Sequence, residues 1–194
     1  MPEAIKKGAS YAIISKKINN VKKNKLISFS NTDYFLKQFA LLKRSLSHST
    51  IIGVTGSSGK TTLKTMLGNT LSFYGDTYFS PRSFNNHYGV PLSLSNLEIN
   101  HRYGVFEIGM SKKGEIDKLS KLVRPNIAII TNVAEAHIEN FNDLSEVAKA
   151  KGEIIKNIQK EGVLIINRDD KFFTYFNNLA KIKKIKTISF GYSK

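Results

Sequence analysis

Residues Thr55-Gly56-Ser57-Ser58-Gly59-Lys60-Thr61-Thr62 set two glycines, five Ser and Thr hydroxyls, and a lysine between an apolar run at 51–55 and a helical pattern that begins near residue 60. A glycine-rich turn between a strand and a helix aims backbone N–H groups and the helix N-terminus at one point, where phosphate oxygens bind. Gly56 and Gly59 let the backbone curl close to such a ligand. Lys60 would neutralise β and γ phosphates, and the Thr61 hydroxyl would ligate magnesium. The general phosphate-loop pattern has a glycine five residues before Gly59, where this chain has Val54, so the loop is a variant. An ordinary strand-to-helix turn is the competing reading, against which the order of strand, loop, Lys-Thr and helix weighs.

Other residues gain interest from their place after a strand. Glu107 closes the apolar run 103–106, so its carboxylate is expected at the sheet edge as a magnesium ligand or as a solvated strand end. His137 follows the run ending at Thr131 and is expected to touch metal or phosphate, or to be a surface histidine. Asn85 and Asn86 precede His87-Tyr88-Gly89-Val90-Pro91 and have loop character, for which asparagine has its own turn-forming reasons. Lys149 and Lys151 fall in a helical run, 144–158, where spacing alone reads them as solvated lysines.

The elements that must position these groups follow from hydrophobic periodicity. Short strands are expected at 11–15 and 26–29, and a helix at 32–46 capped by Asn31 or Thr32. From residue 50 the pattern becomes regular. Strands at 51–55, 77–79, 104–108, 127–131, 163–167 and 185–190 alternate with helices near 60–74, 114–123, 143–158 and 171–181, with a shorter helix near 90–97. Apolar runs such as 126–130 and 163–166 suit a parallel sheet covered on both faces, and hence a doubly wound α/β domain. Ligands of such sheets bind beyond the carboxyl ends of the strands, where the loop, Asn85-Asn86, Glu107, and Asn132 with His137 all fall. The one plausible boundary is 45–50.

Composition narrows the class. In 194 residues the absence of cysteine excludes disulfides and thiolate metal sites and suits a reducing compartment, with the cytoplasm as the expected location. No apolar run reaches the roughly 18 residues of a membrane helix. The net charge of +15 is unevenly spread: +8 in residues 1–50, +1 in 51–150 and +6 in 151–194. The motif-bearing segment is almost neutral, so the excess reads as a lysine-rich solvated surface rather than a nucleic-acid footprint.

Taken in order, six segments resemble the Mur ligases, most closely the branch that adds D-alanyl-D-alanine. They are residues 55–62, Asn-Asn-His-Tyr-Gly-Val-Pro at 85–91, Phe-Glu-Ile-Gly-Met at 106–110 with its continuation to 116, Asn-Val-Ala-Glu-Ala-His-Ile-Glu at 132–139, Ala-Lys-Ala-Lys-Gly-Glu-Ile at 148–154, and Asn-Arg-Asp-Asp at 167–170. The resemblance implies an ATP- and Mg2+-dependent ligase in which a UDP-MurNAc-tripeptide carboxylate is activated as an acyl phosphate and then attacked by D-alanyl-D-alanine. It implies nucleotide contacts from Thr55, Gly56, Ser57, Ser58, Gly59, Lys60, Thr61 and Thr62, one magnesium at Thr61 and Glu107, a second metal served by His137, and Asn85 and Asn86 near the substrate. Lys151 matches a lysine that several members carbamylate, which would turn a cation into a carboxylate-like support for the second metal; Ile155 stands where the family usually has phenylalanine.

Members are about twice this length. The resemblance therefore implies that residues 1–48 are a remnant of the UDP-substrate domain and 49–194 an incomplete central ATPase domain, without the adenine-holding segment or the C-terminal domain. Little or no ligase activity is expected of this chain alone, and a monomeric full-length enzyme. A different Mur ligase, a folylpolyglutamate synthase-like ligase and a non-catalytic nucleotide-binding piece share the same loop and remain alternatives.

Overall fold

The computed structural model describes residues 2–19, 22–135 and 140–192. The chain divides into two compact units, Met1–Phe39 and Ala40–Lys194. The first holds helix α1 (Pro2–Lys6) and a two-stranded parallel sheet of β1 (Ala12–Ile14) and β2 (Leu26–Ser28), followed by the start of α2 (Thr32–Leu46). Asn31 caps α2: its Oδ1 accepts from the N–H groups of Asp33 and Tyr34 at 2.8 and 3.0 Å.

The division falls inside α2, earlier than the 45–50 boundary expected from sequence. Its physical reason is Arg44, a buried residue of the second unit. The Arg44 Nε donates to Val123 O and its terminal nitrogen to Arg124 O, both at 2.8 Å. These are the free carbonyls at the C-terminus of a helix, where a cation is favoured. Burial, with Arg124 nearby, lowers the guanidinium pKa to about 10.

The second unit is a six-stranded sheet in the order β4-β5-β3-β6-β7-β8, parallel throughout. Its strands are β3 (Thr50–Thr55), β4 (Thr77–Phe79), β5 (Tyr103–Glu107), β6 (Ile127–Ile130), β7 (Val163–Asn167) and β8 (Lys186–Phe190). Between them run α3 (Lys60–Leu71), α4 (Gly89–Ser95), α5 (Glu115–Val123), α6 (Leu144–Gly152) and α7 (Phe173–Ile182). The strand alternation of period two divides the core. Ile52, Val54, Val105 and Ile129 meet Leu63, Leu67 and Leu71 of α3 on one face. Ile51, Phe106, Ala128, Ile130, Leu164 and Ile166 meet residues of α4, α5, α6 and α7 on the other. The doubly wound α/β class read from sequence is the observed one.

Two helices are shorter than their periodicity predicts. α6 gives way at Glu153–Asn157 to a 3-10 turn, where the buried Glu153 carboxylate accepts from the N–H groups of Gly114 and Asp117 at 2.8 and 3.1 Å. α3 stops at Leu71 instead of continuing to residue 74, and the chain turns at Gly75 with φ +159°. The chain leaves β3 for β4 on one side and later passes from β5 to β6 on the other, so the winding reverses at β3. Such a switch point opens a crevice at the carboxyl ends of the strands.

Candidate functional site

The crevice is built from the segment after each strand. β3 runs into Gly56, whose φ is +150°; a Cβ there would lie 1.8 Å from the Thr131 Oγ1 of the segment after β6. Only glycine lets the two backbones approach so closely. Gly59, at φ +77°, then turns the chain into α3. The loop is laced to the residues after β6: Thr131 N donates to Thr55 O at 2.9 Å, Thr131 Oγ1 to Ser58 O at 2.7 Å, and Ser57 N to Asn132 O at 3.0 Å. Ser58 N donates to Asn132 Oδ1 at 3.0 Å, and Ala134 N to Ser57 Oγ at 2.9 Å. These bonds make a rigid loop, and they also engage the Ser57 and Ser58 N–H groups. The donors free to meet an anion are those of the first turn of α3, from Lys60 through Thr62, which have no partner within a helix.

Lys60 folds back over this turn. Its Nζ donates to Gly56 O at 2.9 Å and Ser57 O at 3.2 Å. Burial lowers its pKa from the usual lysine value, and the Glu107 carboxylate partly opposes that. Thr55 Oγ1, at the end of β3, is buried with no hydrogen-bond partner among the described residues.

Glu107 ends β5 opposite Val54 in the sheet register and is only 1% exposed. Its Oε2 accepts from Thr61 Oγ1 and its Oε1 from Asn85 Nδ2, each at 2.7 Å. The Thr61 Oγ1 also lies 3.1 Å from Ser83 Oγ. A buried carboxylate and two hydroxyls at the foot of a phosphate loop are hard oxygen donors, the set magnesium prefers when phosphate oxygens and waters complete its shell. Thr61 and Glu107 thus fit the ion. Among the described residues no group of three or more His, Asp or Glu gathers into a chelate, which a magnesium shared with phosphates does not require.

Asn85 and Asn86 part company. Asn85 is held against Glu107, and its carbonyl accepts from Gly109 N at 2.8 Å. The Asn86 Oδ1 instead accepts from Tyr88 N and Gly89 N at 3.1 and 2.8 Å, tying the start of α4. Lys151 is not the solvated residue its helical spacing suggested. It is 2% exposed. Burial first, and the Lys60 charge second, bring its pKa down to about 7. His137 lies outside the described residues.

Sequence reasoning passed over two contributors. Asp170, after β7, accepts from Val133 N through Oδ2 at 2.7 Å and so holds the segment that grips the loop. Lys64, one helical turn after Lys60, is 1% exposed. Its i+4 spacing from Lys60 and from Gly68, a helix-interior glycine that marks a close approach, was the available signal.

A parallel α/β sheet with a variant phosphate loop facing a buried strand-end glutamate is the class of arrangement that holds nucleotide phosphates, and a family model described as the Mur ligase middle domain matches residues 54–194. The chain belongs to the Mur ligase family. It is similar to the UDP-N-acetylmuramoyl-tripeptide--D-alanyl-D-alanine ligase of Rickettsia prowazekii (strain Madrid E), with 38% identity over 192 residues, 98% of this chain and 43% of that protein. It superposes on MurF from Acinetobacter baumannii with a TM-score of 0.85 at 34% identity, covering 97% of this chain and 41% of that one. MurF from Thermotoga maritima, solved in complex with ADP, gives 0.78 at 30% identity over 97% of this chain and 43% of its own. The chain therefore spans less than half the length of these relatives.

Proposed function

We propose that this chain is the nucleotide-binding part of an ATP-dependent ligase that joins D-alanyl-D-alanine to UDP-MurNAc-tripeptide in peptidoglycan precursor synthesis. The observation that carries the reading is the Thr61–Glu107–Asn85 contact at the foot of the phosphate loop, with both bonds at 2.7 Å. The similarity to D-alanyl-D-alanine-adding relatives supplies the substrates.

Bound ATP and magnesium would supply the transferable phosphoryl group and the charge that neutralises it, so the carboxylate of the tripeptide can become an acyl phosphate open to attack by an amine. The chain's own part is positioning and electrostatics. The first turn of α3 donates N–H groups, and Lys60 Nζ stands above it as a cation. Thr61 and Glu107 offer oxygens to magnesium, and Asn85 orients Glu107. Asn86 shapes the adjoining substrate loop. Lys151, with a pKa near 7, has a neutral fraction able to add to carbon dioxide. Its nitrogen forms the new N–C bond, one C=O π pair moves to oxygen, and a proton leaves, giving a carbamate that would serve a second metal with His137.

Among the described residues no helix is long and apolar enough to cross a membrane. A cytoplasmic, monomeric enzyme with no nucleic-acid partner fits these features and the near-neutral charge of residues 51–150. Residues 1–48 are then a remnant of the UDP-substrate domain. Phosphate release by the protein carrying these residues tests the substrates: it should require ATP, the tripeptide precursor and D-alanyl-D-alanine together. Equal or faster release with glutamate or diaminopimelate in place of D-alanyl-D-alanine would contradict the assignment.

A further inference from the structure

The most fully buried large side chains include a lysine that the proposed chemistry leaves unused. Lys64 Nζ donates to Ser80 O at 2.6 Å and also to Arg82 O. Among the described residues no carboxylate is bonded to it, so a cation has been taken out of water to hold two backbone carbonyls. Burying an ammonium is costly, and charge-assisted bonds to oxygens are what offset it. The helix behind it is fixed: a Cβ on Gly68, one turn further along α3, would lie 2.4 Å from the Phe79 ring at the end of β4.

The clamped carbonyls belong to a turn in an unfavourable shape. Arg82 has φ +48°, the left-handed region, although it is not a glycine. That conformation is disfavoured for an L-residue by contact of its Cβ with the backbone. The strained turn has two consequences at the site. It puts Ser83 Oγ 3.1 Å from Thr61 Oγ1, and Ser83 O accepts from Asn85 N at 2.8 Å. Asn85 in turn holds Glu107. One chain of contacts runs from Lys64 through the turn to both oxygens offered to magnesium.

We propose that Lys64 is a positioning residue: by clamping the Ser80 and Arg82 carbonyls it holds the 80–85 turn so that Ser83 and Asn85 set the Thr61 and Glu107 oxygens for a divalent cation. Its ammonium does not touch nucleotide or substrate in this role. The inference rests on the magnesium site proposed above. It separates Lys64 from Lys60, one turn away on the same helix: Lys60 serves the phosphates directly, whereas Lys64 serves the metal through a loop.

The test compares ATP binding with saturating magnesium and with EDTA, by calorimetry, in the protein carrying these residues. Lys64→Met keeps the apolar stem and removes the ammonium. It should lower the magnesium-dependent gain in ATP affinity by about tenfold or more, the usual effect of losing a residue that orients metal ligands. Magnesium-free affinity, which draws on the N–H groups of the first turn of α3 and on Lys60, should stay within about twofold. A second variant works from the exposed side of the turn and leaves Lys64 in place. Arg82→Val puts a β-branched residue where φ is positive, and should give the same selective loss. In the Lys64→Met background, Arg82→Gly should restore most of the gain, because glycine adopts the turn without a clamp.

A Lys64→Met or Arg82→Val protein that keeps the wild-type magnesium gain, or that loses affinity equally with and without magnesium, overturns the proposal. Should Lys64→Met not fold, Arg82→Val alone decides. A wild-type protein with no magnesium gain at all would overturn the proposed metal site itself, a different outcome from an unchanged variant.

Discussion

Replacing Lys151 by methionine should make the protein more stable near neutral pH, by an amount that shrinks as pH rises. The lysine is 2% exposed, and its pKa falls from 10.5 to about 7. A fall of about 3.5 units corresponds to about 5 kcal/mol against the folded state when the amine is fully charged, at pH well below 7. The folded amine binds its proton less readily than the unfolded one. Between about 7 and 10.5 the unfolded chain therefore holds more protons, and stability must rise with pH across that window. The cost of the lysine is about 4 kcal/mol at pH 7 and about 2 kcal/mol at pH 9.

Methionine fills a similar volume and does not titrate, so ionisations that do not act on Lys151 cancel in the difference between the two proteins. Urea unfolding followed by circular dichroism, in buffers freed of carbon dioxide, should show the advantage of Lys151→Met narrowing by about 2 kcal/mol from pH 7 to pH 9. A difference that does not move with pH would refute the reasoning, because it would mean that Lys151 keeps an ordinary lysine pKa. The outcome bears on chemistry too: only an amine that is substantially neutral near pH 7 is poised to form a carbamate.

Three further outcomes follow from the same contacts. Gly56→Ala should destabilise the fold by about 2 kcal/mol or more in urea unfolding, since its Cβ would stand 1.8 Å from Thr131 Oγ1 at a positive φ. Asn86→Ala should cost about 1 kcal/mol of stability by freeing the Tyr88 and Gly89 N–H groups, while MgATP affinity by calorimetry stays within about twofold. Asp170→Ala should weaken MgATP binding and speed amide hydrogen exchange at Val133, because the Val133 N–H loses its acceptor at 2.7 Å.

How much could be read beforehand depends on whether the deciding interaction is local. The sheet was legible because each buried strand is a short apolar run whose alternate residues face α3 or the opposite helices, as with Ile51 and Ile52. The phosphate loop was legible because glycines and Lys-Thr follow a strand in a fixed order. Glu107 stood out by its place at a strand end. What sequence could not carry was pairing across the fold. Lys151 and Lys149 are alike as letters in one helix, yet Lys151 is buried and Lys149 exposed. Asn85 and Asn86 are adjacent, yet Asn85 bonds to Glu107 and Asn86 to backbone N–H groups. Lys64 was passed over, and its two carbonyl partners lie 16 and 18 residues away. Arg44 likewise finds its acceptors 79 and 80 residues along the chain.

The central claim is that the first turn of α3, with Lys60, Thr61 and Glu107, is a magnesium-polyphosphate site. Phosphorus NMR of MgATP tests it most directly, because line broadening reports even weak binding at individual phosphates. The wild-type chain should broaden and shift the β and γ resonances, and Lys60→Ala and Glu107→Gln should each remove most of that effect while remaining folded. Equal broadening by wild type and both variants, or none by the wild type, would contradict the account.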